Sequence, residues 1–513
     1  MSSLFLNSWN MGNQYVTMVK ITSKGRLKMA QRKYTLVSKI GYGSIDILGG
    51  GAFALIGLLF LFFLMTMEGM SGALAGAVLL VGRVWDAIID PLLGAISDKT
   101  RSRFGRRRVY ILAGVAPVIV TFSLLWYSFG ITGDITKFLY YTVMYILFST
   151  AFSIVMVPYN ALLPDMIDGY KARAGYVSVR MFISMLAATV SVMVPGIILG
   201  AEADRTLHGY LVMGIIFGLF YGLPLLFGFF TTWENPTPEA EAVPSLGEML
   251  RRTARSFKNK AYRQYLGIFC WGQMATDLIT AMAVFWLVDN LQMQGMTTIF
   301  AGLLMLVGAA MLPAYNWIAG KYGKHVPSYV CMPFRIVALI IGFFMGPEIG
   351  LVGLVIVCVV MGIGHGASNF VPWCLLPDIP DSDEMINGTR DAGIFGGMAT
   401  LVRQSTGGVA LFLGGVALEL FGYIESEAGE VVEQTATALL GIRVMFAAVP
   451  AVLSLIVVWL GFRYVLTKNN HAAILQAVAH KREHGSPTDD PELIAACEKV
   501  AGKSFNKLWV GTM

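Results

Sequence analysis

Apolar runs of about 20 residues, the length an α-helix needs to cross a bilayer, recur along the chain between short polar breaks. Twelve such runs predict an all-α membrane protein with twelve transmembrane helices. The predicted spans are 38–67, 73–97, 109–131, 137–163, 176–200, 209–231, 263–290, 297–320, 327–347, 350–377, 393–422 and 437–466.

The longest polar break before the tail is rich in Pro, Glu and Arg and separates the sixth span from the seventh. This position predicts a linker between two six-helix bundles. The predicted division is a cytoplasmic extension 1–35, a first bundle 36–231, a linker 232–262, a second bundle 263–466 and a cytoplasmic tail 467–513. A short surface helix is expected in the tail around Pro491–Val500.

The extreme N-terminus is polar and basic. Residues 1–35 lack an apolar core long enough for a cleavable signal. Met29 begins a more ordinary start, so residues 1–28 are interpreted as either an extension or a misassigned upstream start.

Charge and composition fit the membrane interpretation. The 513 residues are 56% hydrophobic and 14% charged, with a net charge of +6, whereas a soluble domain is about a quarter charged. Basic residues fall at span ends, which argues against nucleic acid as a partner. They crowd the N-terminus, the 2–3 loop, the central linker and the 8–9 loop. The positive-inside rule therefore predicts cytoplasmic termini, in a multi-pass protein of a bacterial inner membrane.

The sequence offers no pattern typical of an enzyme or of ATP-driven transport. The five cysteines show neither a CxxC nor a Cys/His metal spacing. No nucleophile–base constellation and no phosphate-binding glycine loop is present. We therefore expect no enzymatic activity and no cofactor.

The second predicted span carries the strongest chemical signal. Asp86 and Asp90 are four residues apart in an apolar run, so both face one side of a helix. Ionisable groups inside a span usually line a polar pathway. Two carboxylates can bind a hard cation such as Na⁺, or one of them can hold a proton. A third interpretation is that Arg83, one turn earlier, simply pairs with them. Six basic residues follow directly: Lys99, Arg101, Arg103, Arg106, Arg107 and Arg108.

With these motifs the chain resembles the glycoside–pentoside–hexuronide cation symporters of the major facilitator superfamily, whose best-known member is the melibiose carrier. The resemblance covers about residues 36–466. It rests on WDAIIDP with the basic loop after it, on IGYGSID at 40–46, on VPYNALLPDM at 157–166, on Arg180, and on LLPDIPDSDEMINGTRDAG at 375–393. It implies the major facilitator fold, with two pseudo-symmetric six-helix bundles, a central sugar site and alternating access driven by a cation.

The resemblance places the coupling carboxylates at Asp86 and Asp90, with the hydroxyl of Ser153 nearby. Two oxygen donors of the family pattern are absent, because Ile89 stands for an asparagine and Met156 for a carboxylate. A proton needs one basic group, whereas Na⁺ needs a cage of oxygens. We therefore expect H⁺ as the coupling ion, with Na⁺ as the alternative.

The resemblance also implies where the substrate binds. Arg180 aligns with a sugar-site arginine, although a snorkelling arginine is the competing interpretation. Asn160 stands where the family has a tryptophan, Trp373 is a replacement stacking ring or a packing residue, and His365 and Asn369 suit either the site or a helix–helix contact. The remaining candidates are Thr400, Arg403 and Gln404.

One expectation concerns the charge of the substrate. Leu48 aligns with a first-helix sugar carboxylate, and Asp46, two residues earlier, is expected to face another side of the helix. Fewer carboxylates beside Arg180 and Arg403 would suit an anionic sugar, since arginine binds carboxylates bidentately.

The polar segment after the tenth span is predicted to be a gate. Its acids would pair with basic residues of the 2–3 loop or linker when the cytoplasmic side closes, whereas the simpler interpretation is a solvated loop. The gating candidates are Asp98, Arg106, Arg107, Asp378, Asp381 and Arg390.

The expected function is thus cation-coupled symport of a glycoside, or of an anionic sugar, by a monomer in a lipid bilayer. The alternative is a lysolipid carrier of the same fold.

Overall fold

A computed structural model describes residues 15–21, 27–33, 35–167, 170–200, 205–235, 257, 259–388, 392–425 and 432–512. Two antiparallel strands, β1 (Tyr15–Ile21) and β2 (Leu27–Lys33), form a hairpin in the N-terminal extension. Everything else that is regular within the described residues is helical, so the fold class is the predicted one.

The described helices form twelve spans, and the predicted count is confirmed. They are span 1 Leu36–Thr66, span 2 Gly72–Lys99, span 3 Arg108–Leu124, span 4 Asp134–Met166, span 5 Tyr170–Leu199, span 6 Leu207–Thr231, span 7 Lys260–Asn290, span 8 Thr297–Ala310 with Leu312–Tyr322, span 9 Pro327–Phe344, span 10 Gly350–Leu375, span 11 Ala392–Leu420 and span 12 Ala436–Phe462. Ten of them are long and apolar by themselves. The bent pair of span 8 and the 17-residue span 3 complete the set.

Three spans are less regular than the apolar runs suggest. Span 8 bends by 40° between its two helices. Pro313 lies at the start of the second helix, and a proline there has no N–H to continue the first helix. Span 7 ends, and span 12 is interrupted, in π-helical turns at Trp286–Asn290 and Val444–Ala448. Periodic hydrophobicity cannot reveal such local changes of winding.

Several spans begin where a side chain caps the free N–H groups of the first turn. Thr35 Oγ1 accepts from Ser38 N at 3.2 Å at the start of span 1. Asn259 Oδ1 accepts from Tyr262 N at 3.3 Å at the start of span 7. Such caps fix the helix starts because the first four N–H groups have no partner within the helix.

Packing falls mainly within the first six and the last six spans. Span 1 packs against spans 5 and 6, and span 2 against span 4, while span 7 packs against spans 11 and 12 and span 10 against spans 8 and 9. Among the described residues the most extensive contacts between the two bundles are those of span 2 with span 11, span 1 with span 7 and span 5 with span 8. A site between the bundles is therefore bounded by these six helices.

The two bundles touch closely at the end where span 2 begins and span 11 ends. A Cβ atom on Gly415 would lie only 2.0 Å from the carbonyl oxygen of Gly72, so both glycines are needed for this contact. Ala73 N donates to a carboxylate oxygen of Glu419 at 2.8 Å, and the rings of Phe62 and Phe285 lie 5.2 Å apart. The positive-inside expectation assigns this end to the periplasm.

The tail after span 12 is largely helical. Its helices are Lys468–His484 and Pro491–Ala501, followed by 3-10 turns at Phe505–Lys507 and Trp509–Gly511. The surface helix expected around Pro491–Val500 is therefore present, and the longer helix before it was not predicted. The tail packs against the short helix Ile379–Asn387 that follows span 10.

Candidate functional site

Asp86 and Asp90 lie on one face of span 2, and each meets a serine of span 4. Ser149 Oγ donates to Asp86 Oδ1, and Ser153 Oγ donates to Asp90 Oδ1 at 2.5 Å. The serines share the four-residue spacing of the aspartates, so each helix presents two polar groups to the other. The sequence analysis found Ser153 and missed Ser149, which the matching spacing could have indicated.

Arg83 lies one turn before Asp86 and approaches it without a hydrogen bond. Its Nη1 is 3.8 Å from Asp86 Oδ2, and that oxygen has no hydrogen-bond partner among the described residues. The guanidinium lies 4.0 Å above the ring of Phe53. Asp86 itself is 1% exposed. Arg83 thus supplies positive charge near Asp86, while Asp90 has no cationic partner in the described part of the chain.

Arg180 forms a bidentate ion pair across the first bundle. Its Nε and Nη2 donate to the two carboxylate oxygens of Asp46 at 3.0 and 3.2 Å. Nη2 also donates to Asn160 Oδ1 at 2.8 Å, and the guanidinium lies 4.7 Å from the ring centre of Tyr159. Asp46 is two residues from Leu48 and therefore lies on another side of span 1, yet it is the residue that meets Arg180. Span 5 packs directly on span 1, which brings Arg180 to Asp46.

A second bidentate pair lies in the other bundle. Arg403 Nη1 and Nη2 of span 11 donate to the two carboxylate oxygens of Asp277 of span 7, at 2.8 and 3.0 Å. The sequence analysis did not consider Asp277, although a carboxylate inside an apolar span was itself a signal. Both arginines that suggested an anionic sugar therefore already have a carboxylate partner.

The other predicted substrate residues occupy different settings. Gln404 of span 11 lies near Asp90 of span 2, at the contact between these two helices of different bundles. Thr400 is exposed, and its hydroxyl donates to Gly396 O at 3.1 Å within its own helix. Trp373 is 57% exposed, with its ring edge-on to Phe269. Stacking of Trp373 on a sugar stays a prediction.

A buried polar cluster, which the sequence analysis missed, lies inside the second bundle. Arg335 is fully buried and donates to the hydroxyls of Ser454, Thr276 and Ser368 at 2.7 to 3.2 Å. These hydroxyls come from spans 12, 7 and 10, so Arg335 holds span 9 to three neighbours. Asn369 accepts from Gln273 Nε2 at 3.0 Å, which supports the helix–helix interpretation of Asn369.

The ion pairs described for the gating residues lie within the first bundle, or join the second bundle to itself and to the tail. Arg106 and Arg107 lie 3.0 and 3.3 Å from the carboxylate of Asp165. Lys324 donates to Asp378 at 2.6 Å, and His471 of the tail lies 2.9 Å from Asp381.

The gate requires ion pairs between the bundles after this end has closed. The ion pairs described for these residues do not join the two bundles, so the gate stays a prediction. Arg390 lies outside the described residues, and so does the side chain of Asp98.

Twelve spans in two bundles, with Asp–Arg pairs on the first and fifth helices of each bundle, are the architecture of a membrane transporter. The chain matches the family model described as "MFS/sugar transport protein" over residues 41–468 and belongs to that family.

Two curated relatives and one solved structure illustrate the range of this similarity. The "Glucuronide carrier protein homolog" of Escherichia coli strain K12 is 23% identical, over 86% of this chain and 95% of the relative. The "Sodium-dependent lysophosphatidylcholine symporter 1" of Gallus gallus is 22% identical, over 91% of this chain and 93% of the relative. A bacterial homologue of the human lysosomal transporter Spinster, in an inward-facing unoccupied conformation, superposes with a TM-score of 0.62 at 14% identity, covering 83% of this chain and 95% of that one. That structural likeness establishes the fold alone.

Proposed function

We propose that this protein takes up a glycoside together with H⁺ by alternating access across a bacterial inner membrane, with both termini in the cytoplasm. The observation that carries the proposal is the pair of aspartates on span 2, each hydrogen-bonded to a serine of span 4, on a helix that also packs against span 11 of the other bundle. Such buried carboxylates can bind a cation only while they are charged. Binding and release of that cation would then alter the contacts that hold the bundles together.

Asp90 is the proposed proton carrier. Arg83 lies beside Asp86, so a Na⁺ ion between the two aspartates would also lie close to a guanidinium. Asp90 has Ser153 and Gln404 as polar neighbours, and one carboxylate is enough for a proton. Na⁺ is the alternative, because Ser149 adds an oxygen that the sequence analysis had not counted, and Na⁺ requires several oxygen ligands.

A neutral glycoside suits the charges of the site better than an anionic one. Arg180 and Arg403 are each paired bidentately with an aspartate. An anionic sugar would have to displace Asp46 or Asp277 from its arginine and leave a carboxylate without a partner. A neutral sugar can bind to the unused donors and lone pairs of both ion pairs. Uptake of a lysolipid, suggested by the relative from Gallus gallus, is the competing function.

Uptake into proteoliposomes tests these proposals together. Three probes are used: p-nitrophenyl β-D-glucoside, p-nitrophenyl β-D-glucuronide and lysophosphatidylcholine. The first two differ only in having a CH₂OH or a carboxylate group at C5 of the sugar ring. Each is offered with an imposed pH gradient, with a Na⁺ gradient and with neither.

We expect accumulation of the glucoside in a pH gradient without Na⁺, accompanied by alkalinisation of a weakly buffered medium. Sodium-dependent uptake without proton movement would refute H⁺ coupling. Preference for the glucuronide would refute the neutral substrate. Transport of lysophosphatidylcholine with neither sugar would replace the glycoside proposal as a whole.

A further inference from the structure

The two Asp–Arg pairs occupy corresponding places in the two bundles. In the first bundle the aspartate is on span 1 and the arginine is on span 5. In the second bundle Asp277 is on span 7 and Arg403 is on span 11, which are the first and fifth spans of that bundle. Major facilitator halves are repeats related by an axis along the membrane normal, with the substrate site at the repeat interface. The second pair therefore has the location of a substrate-binding element.

The surroundings of the second pair place it at the interface between the bundles. Gly407 lies against the pair, since a Cβ atom there would come within 2.7 Å of both Arg403 Nη1 and Asp277 Oδ2. Gly408, the next residue, lies against Arg83 of span 2, with 2.7 Å between such a Cβ and the Cβ of Arg83. The glycine that lies against the ion pair is thus next in sequence to the glycine at the contact between the bundles.

The second pair also retains capacity to bind something else. The side chains of Asp277 and Arg403 are 21% and 26% exposed, although both lie inside spans. A guanidinium has five N–H donors and a carboxylate has about four lone-pair sites. The two mutual hydrogen bonds use two of each. The remaining donors and acceptors match a pair of neighbouring sugar hydroxyls, because each hydroxyl both donates and accepts.

We propose that Asp277 and Arg403 form the second half of the substrate site, in which Asp277 accepts hydrogen bonds from sugar hydroxyls and Arg403 donates to them. This inference rests on the proposed glycoside function. A sugar bound to Asp46 and Arg180 on one side and to Asp277 and Arg403 on the other contacts both bundles.

Span 11 connects this substrate contact to the coupling site. Arg403 is followed directly by Gln404, which lies beside Asp90 of span 2. Movement of Arg403 toward a substrate would shift Gln404 relative to Asp90. One helix segment therefore contacts both the proposed substrate pair and the proposed proton carrier.

The test compares binding with stability in the full-length protein. The variants are Asp277→Asn, Arg403→Gln and the charge exchange Asp277→Arg with Arg403→Asp. The matched control is Asp289→Asn, a carboxylate at the far end of span 7 that accepts a hydrogen bond from Tyr423 at 3.3 Å. Affinity for p-nitrophenyl β-D-glucoside and p-nitrophenyl β-D-glucuronide is measured on purified protein in nanodiscs, and the melting temperature is measured on the same samples.

We expect the single variants to bind the glucoside about 10- to 100-fold more weakly, since a hydrogen bond to a charged group contributes about 1.5–3 kcal/mol. The charge exchange should recover the melting temperature but not the affinity, because donors and acceptors have exchanged places. Asp289→Asn should bind like the wild type.

A purely structural ion pair gives a different result. The single variants would then melt lower but keep wild-type affinity, or the exchanged pair would recover affinity together with stability. Either outcome overturns the inference while the glycoside function stands. If the wild-type protein binds neither sugar, the proposed function fails and the inference fails with it. If a single variant does not fold, the charge-exchanged variant and the conservative variant Arg403→Lys take its place. Loss of affinity in either folded variant supports a substrate contact by the pair. Unchanged affinity in both variants opposes that contact.

Discussion

The Asp46–Arg180 pair allows a sharp separation of structural and substrate roles. The change consists of Arg180→Gln, Asp46→Asn and the double variant, all of which keep polar side chains of similar size. Arg180→Gln leaves the carboxylate of Asp46 without a cation, and that side chain is only 4% exposed. Asp46→Asn leaves Arg180, which is 23% exposed and also donates to Asn160.

The two single variants should therefore differ in cost. Removing one partner of a buried ion pair typically costs about 3–5 kcal/mol, mainly because the remaining charge is desolvated and unpaired. Arg180→Gln should lie near the lower end of that range, at about 3 kcal/mol. Asp46→Asn should cost about 1–2 kcal/mol, because Arg180 keeps one hydrogen bond and some solvent. The double variant leaves no unpaired charge and should cost about 1 kcal/mol, which gives a coupling energy of about 3–4 kcal/mol.

Reversible unfolding of the four purified proteins, with glucoside affinity measured in parallel, provides the assay. Stability should recover in the double variant, whereas affinity should stay low in all three variants if the pair also binds substrate. Additive losses of stability would show that the two side chains do not interact as the structure indicates. Full affinity in Arg180→Gln would instead support the interpretation of Arg180 as a snorkelling residue.

Two further predictions concern coupling and closure. Asp86→Asn and Asp90→Asn should each abolish accumulation of glucoside against a gradient while leaving folded protein in the membrane. Active uptake measures the first effect, and monodisperse purification checks the fold. Full accumulation by both variants would remove these carboxylates from the mechanism. Gly415→Ala should lower the melting temperature and reduce uptake, because its Cβ would lie 2.0 Å from the Gly72 carbonyl oxygen. Gly57→Ala is the control, since its Cβ would meet nothing within 4 Å. Equal behaviour of the two variants would contradict the close contact.

The sequence alone determined the number of spans, the helical class and the common face of Asp86 and Asp90. A bilayer requires about 20 apolar residues for each crossing, so span number follows directly from composition along the chain. Asp86 and Asp90 could be predicted because their four-residue spacing fixes their common face on any helix. Both conclusions depend on local physics, which sequence spacing contains.

Only the tertiary structure decided which charges are paired. Asp46 and Arg180 are 134 residues apart, and Asp277 and Arg403 are 126 residues apart. Such contacts depend on which helices pack together and on their rotation about their own axes. Inside a bundle that rotation is set by close packing of side chains and glycines along the whole interface. Counting charges along the chain therefore suggested an anionic substrate, whereas the packed helices place a carboxylate against each arginine, and the proposal of a neutral substrate rests on that pairing.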